Sequence, residues 1–231
     1  MKVLREMCLS ILIAVFLICG ATYAQNPVEE SYNKGLEHAI QGKFRKAKEE
    51  FENALKIEPF YSPAEYNLET IKDVIEQKIK TETAIHLFKG ASYDDKGQYD
   101  QSISEYTKAI EINPKYAKAY NNRGIAYANK GQYDRAISEY TKTIEINPKF
   151  TDAYSNRGGV FANIGQYDQA ISEYTKAIEI NPKYAKAYNN RGTVYFVKLG
   201  NKVKGCADWQ KACELGECEN YNLAKQNGDC P

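Results

Sequence analysis

A 28-residue segment occurs three times in this chain at a fixed spacing. Its copies begin at Gly97, Gly131 and Gly165, so the repeating unit is 34 residues long. The first and third copies differ at one position, where Ser102 is replaced by Ala170. A period of roughly 20 to 50 residues indicates modules that stack on their neighbours, in contrast to a globule with one closed core. The repeat therefore limits the fold more than any single motif does.

Each unit has the pattern of two amphipathic helices joined by a glycine turn. Small and aromatic residues recur at helical spacing between residues 119 and 127, and Gly131 then interrupts the pattern. A second periodic run, between residues 136 and 143, ends before Asn147 and Pro148. This pattern predicts a helix hairpin. Its tandem repetition predicts an all-α protein.

Residues at matching places in successive units resemble the tetratricopeptide repeat family. That family has a small residue and an aromatic residue in its first helix, an alanine and a large aromatic residue in its second, and a closing proline. The matching residues are Gly124, Gly158 and Gly192; Tyr127, Phe161 and Tyr195; Ala136 and Ala170; Tyr106, Tyr140 and Tyr174; and Pro114, Pro148 and Pro182. The resemblance implies a solenoid, or superhelix, of tandem helix-turn-helix hairpins.

Extending the phase of the repeat predicts five units. Residues 25–82 contain a degenerate unit at 28–61 and a single extra helix at 62–82, and the remaining units occupy 83–116, 117–150, 151–184 and 185–219. The stretch 62–82 resembles a first helix without its partner. It either continues as a long helix toward Thr83 or forms a hinge. A cysteine-bearing cap follows at 220–231.

The first 24 residues are predicted to be a secretory signal peptide. Lys2 and Arg5 precede an apolar run from Cys8 to Cys19, and small residues before Gln25 suit a cleavage site. A retained membrane anchor is one alternative, although the run is shorter than the ~20 residues of a membrane span. A lipoprotein acylated at Cys19 is another. We expect a secreted or periplasmic protein with no integral membrane span after cleavage.

The charge balance argues against nucleic acid as a partner. Removing Lys2, Arg5 and Glu6 from the 31 basic and 30 acidic residues leaves 29 of each. Without a net positive charge, the chain lacks the electrostatic signature of nucleic-acid binding. The sequence also has no run of basic residues typical of a membrane-binding surface.

The family resemblance places candidate binding residues on the first helix of each unit. In such arrays the first helices line a concave groove, and helical geometry turns one set of positions toward it. The predicted groove residues are Asn33, Asn67, Phe88, Lys118, Asn121, Asn122, Ile125, Asn129, Asp152, Asn156, Asn163, Lys186, Asn189 and Asn190. We expect a partner protein or extended peptide, of unknown identity, to bind there.

Asparagine recurs at one of these groove positions, as Asn33, Asn67, Asn122, Asn156 and Asn190. A carboxamide both donates and accepts hydrogen bonds, so a row of them can hold an extended peptide backbone. This row resembles the asparagine ladder of some tetratricopeptide arrays. Recent duplication alone would also repeat these residues. Phe88 takes this position in the second unit, where it either interrupts the row or supplies an apolar pocket.

Arginine recurs at the next position, as Arg123, Arg157 and Arg191. The family usually has an apolar residue at this place. We therefore expect the aliphatic stems to pack and the guanidinium groups to reach nearby acids. The carboxylate clamp of some tetratricopeptide proteins is not predicted, because its pattern of Lys, Asn and Arg is absent.

The four cysteines of the predicted mature chain, Cys206, Cys213, Cys218 and Cys230, all lie in the last 26 residues. An even set in a secreted chain is more often paired than free. Cys206 and Cys213 are two helical turns apart, about 10.5 Å by helical rise, beyond the ~7 Å limit for a disulfide. Two pairings remain, and we prefer Cys206 with Cys230 and Cys213 with Cys218. Metal binding is the alternative, although neither a C-x-x-C pair nor a nearby histidine is present.

These patterns together predict a non-catalytic scaffold for protein interactions. No unit contains a nucleophile with a base, a phosphate-binding glycine loop or a metal set, so neither a cofactor nor a metal is predicted. One alternative is a structural envelope component or a glycan-binding module that uses exposed tyrosines. An enzyme or the accessory subunit of one is the other.

Overall fold

The computed structural model describes residues 26 to 231, which contain helices and no strand. The predicted signal peptide lies outside the described residues. Within residues 26–231, no helix is long and apolar enough to cross a membrane. The chain forms two compact units, one ending at Phe88 and the other beginning at Lys89.

The first compact unit contains α1 (Pro27–Ile40), α2 (Phe44–Ile57), α3 (Ser62–Ile75) and the start of α4 (Thr81–Asp95). The Asn26 side chain caps α1 by accepting a hydrogen bond from the backbone N–H of Val28. α1 and α2 form a hairpin whose turn includes Gly42, at a left-handed φ of 73°. Gly35 of α1 lies against the buried ring of Phe51 of α2. The degenerate first unit thus forms the same kind of helix hairpin as the regular ones.

Residues 62–82 do not form one continuous helix. α3 ends at Ile75, Gln77 takes a left-handed φ of 56°, and α4 begins at Thr81. A residue with a left-handed φ cannot continue a right-handed helix, and this conformation is uncommon for a non-glycine residue because its Cβ crowds the following carbonyl. The alternative of a long helix through this segment is therefore wrong.

The second compact unit contains the rest of α4 and eight further helices. These are α5 (Tyr99–Ile112), α6 (Ala117–Asn129), α7 (Tyr133–Ile146), α8 (Thr151–Asn163), α9 (Tyr167–Ile180), α10 (Ala185–Thr193), α11 (Lys202–Glu214) and α12 (Glu219–Gln226). A π-helical turn at Val194–Lys198 extends α10. Consecutive helices from α5 to α12 pack against each other. The described chain is therefore all-α and built from tandem hairpins, as predicted.

A close contact between glycine and tyrosine joins the two helices of each regular hairpin. A Cβ added to these glycines would lie 2.4, 2.7 and 2.9 Å from a ring carbon of the paired tyrosine. The pairs are Gly90 with Tyr106, Gly124 with Tyr140 and Gly158 with Tyr174. All three tyrosines are buried, and burial raises the pKa of Tyr174 to about 12. These three periodic tyrosines are packing residues between the helices.

A mostly buried carboxylate lies near the end of α4. Oδ2 of Asp94 accepts a hydrogen bond of 2.8 Å from the hydroxyl of Tyr106. Burial raises the pKa of Asp94 to about 6, although the nearby Ser102 hydroxyl and the hydrogen bond from Tyr106 act in the opposite direction. The folded state therefore binds a proton more tightly at this carboxylate than the unfolded chain does.

We expect Asp94→Asn to remove part of the pH dependence of stability. Because the folded pKa exceeds the unfolded value of about 3.9, the stabilising contribution is full below pH ~4 and is lost as pH rises through about 6. The variant should gain about 1–2 kcal/mol over the parent at pH ~7.5 and little at pH ~4. Urea unfolding at both pH values measures this difference. Asp95→Asn, at an exposed carboxylate, is the control, and an equal gain of the Asp94 variant at both pH values would contradict the account.

Candidate functional site

The candidate site is the first-helix face, which we define as the solvent-accessible side of α6, α8 and α10 in the second compact unit. These helices are the first helices of three successive repeats, and each contacts the next. Asn122, Asn156 and Asn190 lie at the same position on the three helices, and all three are half-buried. The face therefore carries a row of partly accessible carboxamides.

The row takes part in hydrogen bonds between neighbouring repeats. Nδ2 of Asn156 on α8 donates to Oδ1 of Asn121 on α6, at 3.1 Å. Nδ2 of Asn121 in turn donates to Oδ1 of Asn122, at 3.4 Å. One edge of the Asn156 carboxamide is therefore used inside the fold.

The first compact unit contains the same kind of contact. Nδ2 of Asn67 on α3 donates to the hydroxyl of Tyr32 on α1, at 3.3 Å. The two residues are 35 positions apart, as are Asn121 and Asn156. At Asn67 and Asn156, the asparagine of this position joins two neighbouring first helices. This structural role explains part of its recurrence without any ligand.

We expect Asn156→Ala to lower the free energy of unfolding by about 1–2 kcal/mol, because it removes the donor to the buried oxygen of Asn121. Asn163→Ala, at an exposed position on the same helix, should change it by less than about 0.5 kcal/mol. Urea unfolding of the two variants measures the difference. Equal losses would contradict a structural role for Asn156.

Four of the predicted groove residues are buried, so the prediction that their side chains line an accessible groove is wrong. They are Asn67, Phe88, Lys118 and Asn121, which are 6%, 1%, 6% and 1% exposed. The ring of Phe88 packs within the first compact unit, with its centroid 6.3 Å from those of Phe44 and Phe51. Phe88 therefore does not supply an accessible apolar pocket. Helical periodicity separates the packed side of a helix from the opposite side, but neighbouring first helices also cover its flanks.

The other predicted residues are exposed or half-buried: Asn33, Asn122, Ile125, Asn129, Asp152, Asn156, Asn163, Lys186, Asn189 and Asn190. Asn33 lies in the first compact unit, and the rest lie on α6, α8 and α10. Ile125 packs partly against the cluster of Ala136, Tyr140 and Val160. Asp152 accepts a hydrogen bond from the hydroxyl of Tyr184.

The repeated arginines form half-buried clamps between second helices. Nη1 of Arg157 donates to the Thr141 hydroxyl at 2.9 Å, and Nη2 donates to both carboxylate oxygens of Glu173 at 2.9 and 3.0 Å. Arg123 makes the same contacts with Thr107 and Glu139. Arg191 donates through Nη1 to Thr175 and through Nε and Nη2 to the two carboxylate oxygens of Asp208. The prediction that these guanidinium groups reach nearby acids is confirmed.

The clamps differ from a ligand site because each guanidinium is already paired with an acid of the fold. Burial raises the pKa of Glu139, although the charge and hydrogen bond of Arg123 act to lower it. The Arg157 guanidinium also lies 5.9 Å from the centroid of the Tyr154 ring. The threonine partners were missed from the sequence. Their constant spacing of 16 residues from each arginine is the signal that identifies them.

Near the C-terminus, the sulfur atoms of Cys206 and Cys230 lie 1.94 Å apart, and those of Cys213 and Cys218 lie 1.91 Å apart. This is the arrangement preferred from the sequence. Within residues 26–231, no group of three or more His, Cys, Asp or Glu side chains could hold a metal ion. Both cysteine pairs lie at disulfide distance.

The cap also reaches the end of the first-helix face. Cys206, Trp209, Ala224 and Cys230 form one buried cluster on the flank of the last hairpin. Nδ2 of Asn220 donates to Oδ1 of Asn189 on α10, at 2.8 Å, whereas the equivalent oxygen of Asn121 accepts from the next repeat. The cap thus supplies a contact that a further repeat would otherwise make.

Comparisons with known proteins agree with this geometry. Models described as tetratricopeptide repeat match residues 31–61, 117–150 and 139–172, and one described as TPR repeat matches 90–131 and 160–198. A search of curated proteins found no match. Among solved structures, the chain is similar to a crystal structure of MamA, with 26% identity, coverage of 79% of this chain and 94% of that one, and a TM-score of 0.54. For a second MamA crystal structure the values are 25%, 83%, 92% and 0.53.

Proposed function

Because this chain belongs to the tetratricopeptide repeat family, we propose that it is a non-catalytic scaffold that holds an extended segment of a partner protein on the first-helix face. The observation that carries this proposal is the row of half-buried carboxamides at Asn122, Asn156 and Asn190. Partly accessible carboxamides offer donors and acceptors to a peptide backbone whatever its side chains are. The family fold itself is typically non-catalytic.

The geometry of packed helices favours an extended ligand. Neighbouring helices lie about 8–10 Å apart, and an extended chain advances about 3.3 Å per residue. Successive asparagines of the row would then meet backbone groups roughly three residues apart. Three helices would contact a segment of about six or seven residues.

The charges on the face do not favour a strongly charged ligand. Asp152 on α8 is half-buried and Lys186 on α10 is exposed, so opposite signs lie on adjacent helices. The Asp152 carboxylate accepts a hydrogen bond from the Tyr184 hydroxyl, so its charge also stabilises the fold. Contacts to the backbone should therefore contribute more to affinity than charge pairing does.

Crosslinking in living cells tests where the partner binds. A photo-crosslinking residue is placed at Asn129 or Asn163, which are exposed at the ends of α6 and α8. Matched controls carry it at Lys142 or Lys176, which are exposed on the second helices α7 and α9. We expect both first-helix positions to capture the same partner segment and the controls to capture neither. Equal capture from the controls would contradict the proposal.

We also propose that the scaffold acts outside the cytoplasm. The pattern of residues 1–24 and the two cysteine pairs at disulfide distance support this localisation. The test is fractionation of the producing cells followed by mapping of the N-terminal peptide. The exported chain should begin at Gln25, and an uncleaved chain confined to the cytoplasm would contradict the proposal.

A further inference from the structure

The last hairpin has a turn unlike those of the other repeats. The regular turns read Gly-Gln-Tyr-Asp and begin 34 residues apart, the third at Gly165, whereas the last begins 35 residues later at Gly200 and reads Gly-Asn-Lys-Val. α10 accommodates the additional residue as the π-helical turn Val194–Lys198. Such turns frequently occur at functional sites. We call residues 197–204 the basic turn.

The basic turn forms the tip of the hairpin between α10 and α11. Its ends are close together because Gly205 lies against Phe196, where an added Cβ would be 2.5 Å from the Phe196 Cβ. Between these ends, Val197, Leu199 and Val203 are 58%, 46% and 82% exposed. Three large apolar side chains therefore meet water within seven residues.

Lysines alternate with the apolar residues of the basic turn. Lys198, Lys202 and Lys204 are all exposed, and residues 192–207 contain no acidic residue. Lys204 Nζ lies 5.2 Å from the centroid of the Tyr195 ring, a favourable contact for a cation. The tip therefore combines positive charge with exposed apolar surface.

Two acids lie beside the basic turn. Asp229 accepts a hydrogen bond from Lys202 Nζ at 2.6 Å. Asp168 lines a shallow cleft of the preceding turn together with Leu199. Lys202 is thus partly neutralised, and the net positive charge of the tip resides mainly on Lys198 and Lys204.

We propose that the basic turn docks on the surface of a bilayer that contains anionic phospholipids. Lysine side chains are attracted to anionic headgroups, and exposed apolar side chains enter the boundary between headgroups and acyl chains. A fluid surface can accept side chains that project from the tip of a hairpin. The basic turn and the first-helix face are different parts of the hairpins. Membrane binding through the turn would therefore not use the first-helix face.

Vesicle co-sedimentation of the exported chain, which begins at Gln25, tests this docking. Vesicles of phosphatidylcholine alone are compared with vesicles that contain about 30% phosphatidylglycerol, an anionic lipid. Binding should be stronger to the anionic vesicles. Lys198→Glu with Lys204→Glu should lower the partition coefficient at least about tenfold. Val203→Asn should lower it several-fold, because it removes apolar surface.

The control is Lys142→Glu with Lys176→Glu, which changes the net charge equally at exposed positions on α7 and α9. It should leave vesicle binding unchanged, and all variants begin at Gln25, so differences arise from the substitutions. Lys198→Gln with Lys204→Gln removes the two charges without reversing them. Circular dichroism of this variant checks that a loss of binding does not come from misfolding. Equal binding to neutral vesicles, equal loss in the control, or binding to polyglutamate but not to vesicles would each overturn the proposal.

Discussion

Replacing Gly158 with leucine is expected to lower the free energy of unfolding by about 3 kcal/mol. A Cβ at this position would lie 2.9 Å from a ring carbon of Tyr174 and 3.2 Å from the Cβ of Glu173. Tyr174 is buried and Glu173 is held by Arg157, so neither side chain can move without losing contacts. Gly158→Ala should also lower the free energy of unfolding, but by a smaller amount. Urea unfolding measures both.

The neighbouring glycine provides a matched control. Gly159 is half-buried, and an added Cβ would meet only the Tyr174 hydroxyl at 3.7 Å, an ordinary contact. Since alanine favours helix more than glycine by about 1 kcal/mol, Gly159→Ala should be neutral or stabilising by up to that amount. Loss of stability in this control, or none in the Gly158 variants, would contradict the packing of α8 on α9.

Removing the disulfide between Cys206 and Cys230 by alanine substitution is expected to lower the free energy of unfolding by about 3 kcal/mol. The bond spans 24 residues, and the unfolded chain gains the entropy of the opened loop. Trp209 is the only tryptophan and lies in the cluster with both cysteines. Its fluorescence during urea unfolding therefore reports on the cap directly.

The second disulfide provides the comparison. Cys213 and Cys218 are only 5 residues apart, so opening that loop should cost about 2 kcal/mol. The test is which double variant loses more free energy of unfolding, because each removes one disulfide from the same C-terminal region. A larger loss from the Cys213 and Cys218 variant would contradict the view that the long loop holds the cap on the last hairpin.

The sequence alone was sufficient to predict the hairpin fold, because the repeat shows which residues must meet. Gly158 and Tyr174 recur at a constant spacing and are in close contact, and Arg157, which was expected to reach an acid, pairs with Glu173. These contacts lie within one hairpin. A periodic pattern specifies them because both partners recur with the same phase.

The candidate site was less predictable because it depends on how first helices pack sideways. Asn121 and Lys118 occupy positions that a helical projection turns away from the hairpin core, yet the structure buries both. The sequence left open whether the helix continues through residues 62–82, and it gave no sign of the π-helical turn before Leu199, because both are local departures from the repeat. The lysines of the basic turn went unnoticed because valine and leucine separate them, so no consecutive basic run exists.

The most direct test of the central claim is the dissociation constant of the crosslinked partner segment for the parent chain and for Asn122→Ala with Asn190→Ala. This pair leaves Asn156 and its bond to Asn121 intact. Gln101→Ala with Gln169→Ala removes two exposed carboxamides from second helices as the matched control. We predict affinity at least about tenfold weaker for the asparagine variant, at about 1 kcal/mol per lost hydrogen bond, and unchanged for the control. Unchanged affinity in the asparagine variant, or an equal loss in both, would contradict binding through the first-helix face.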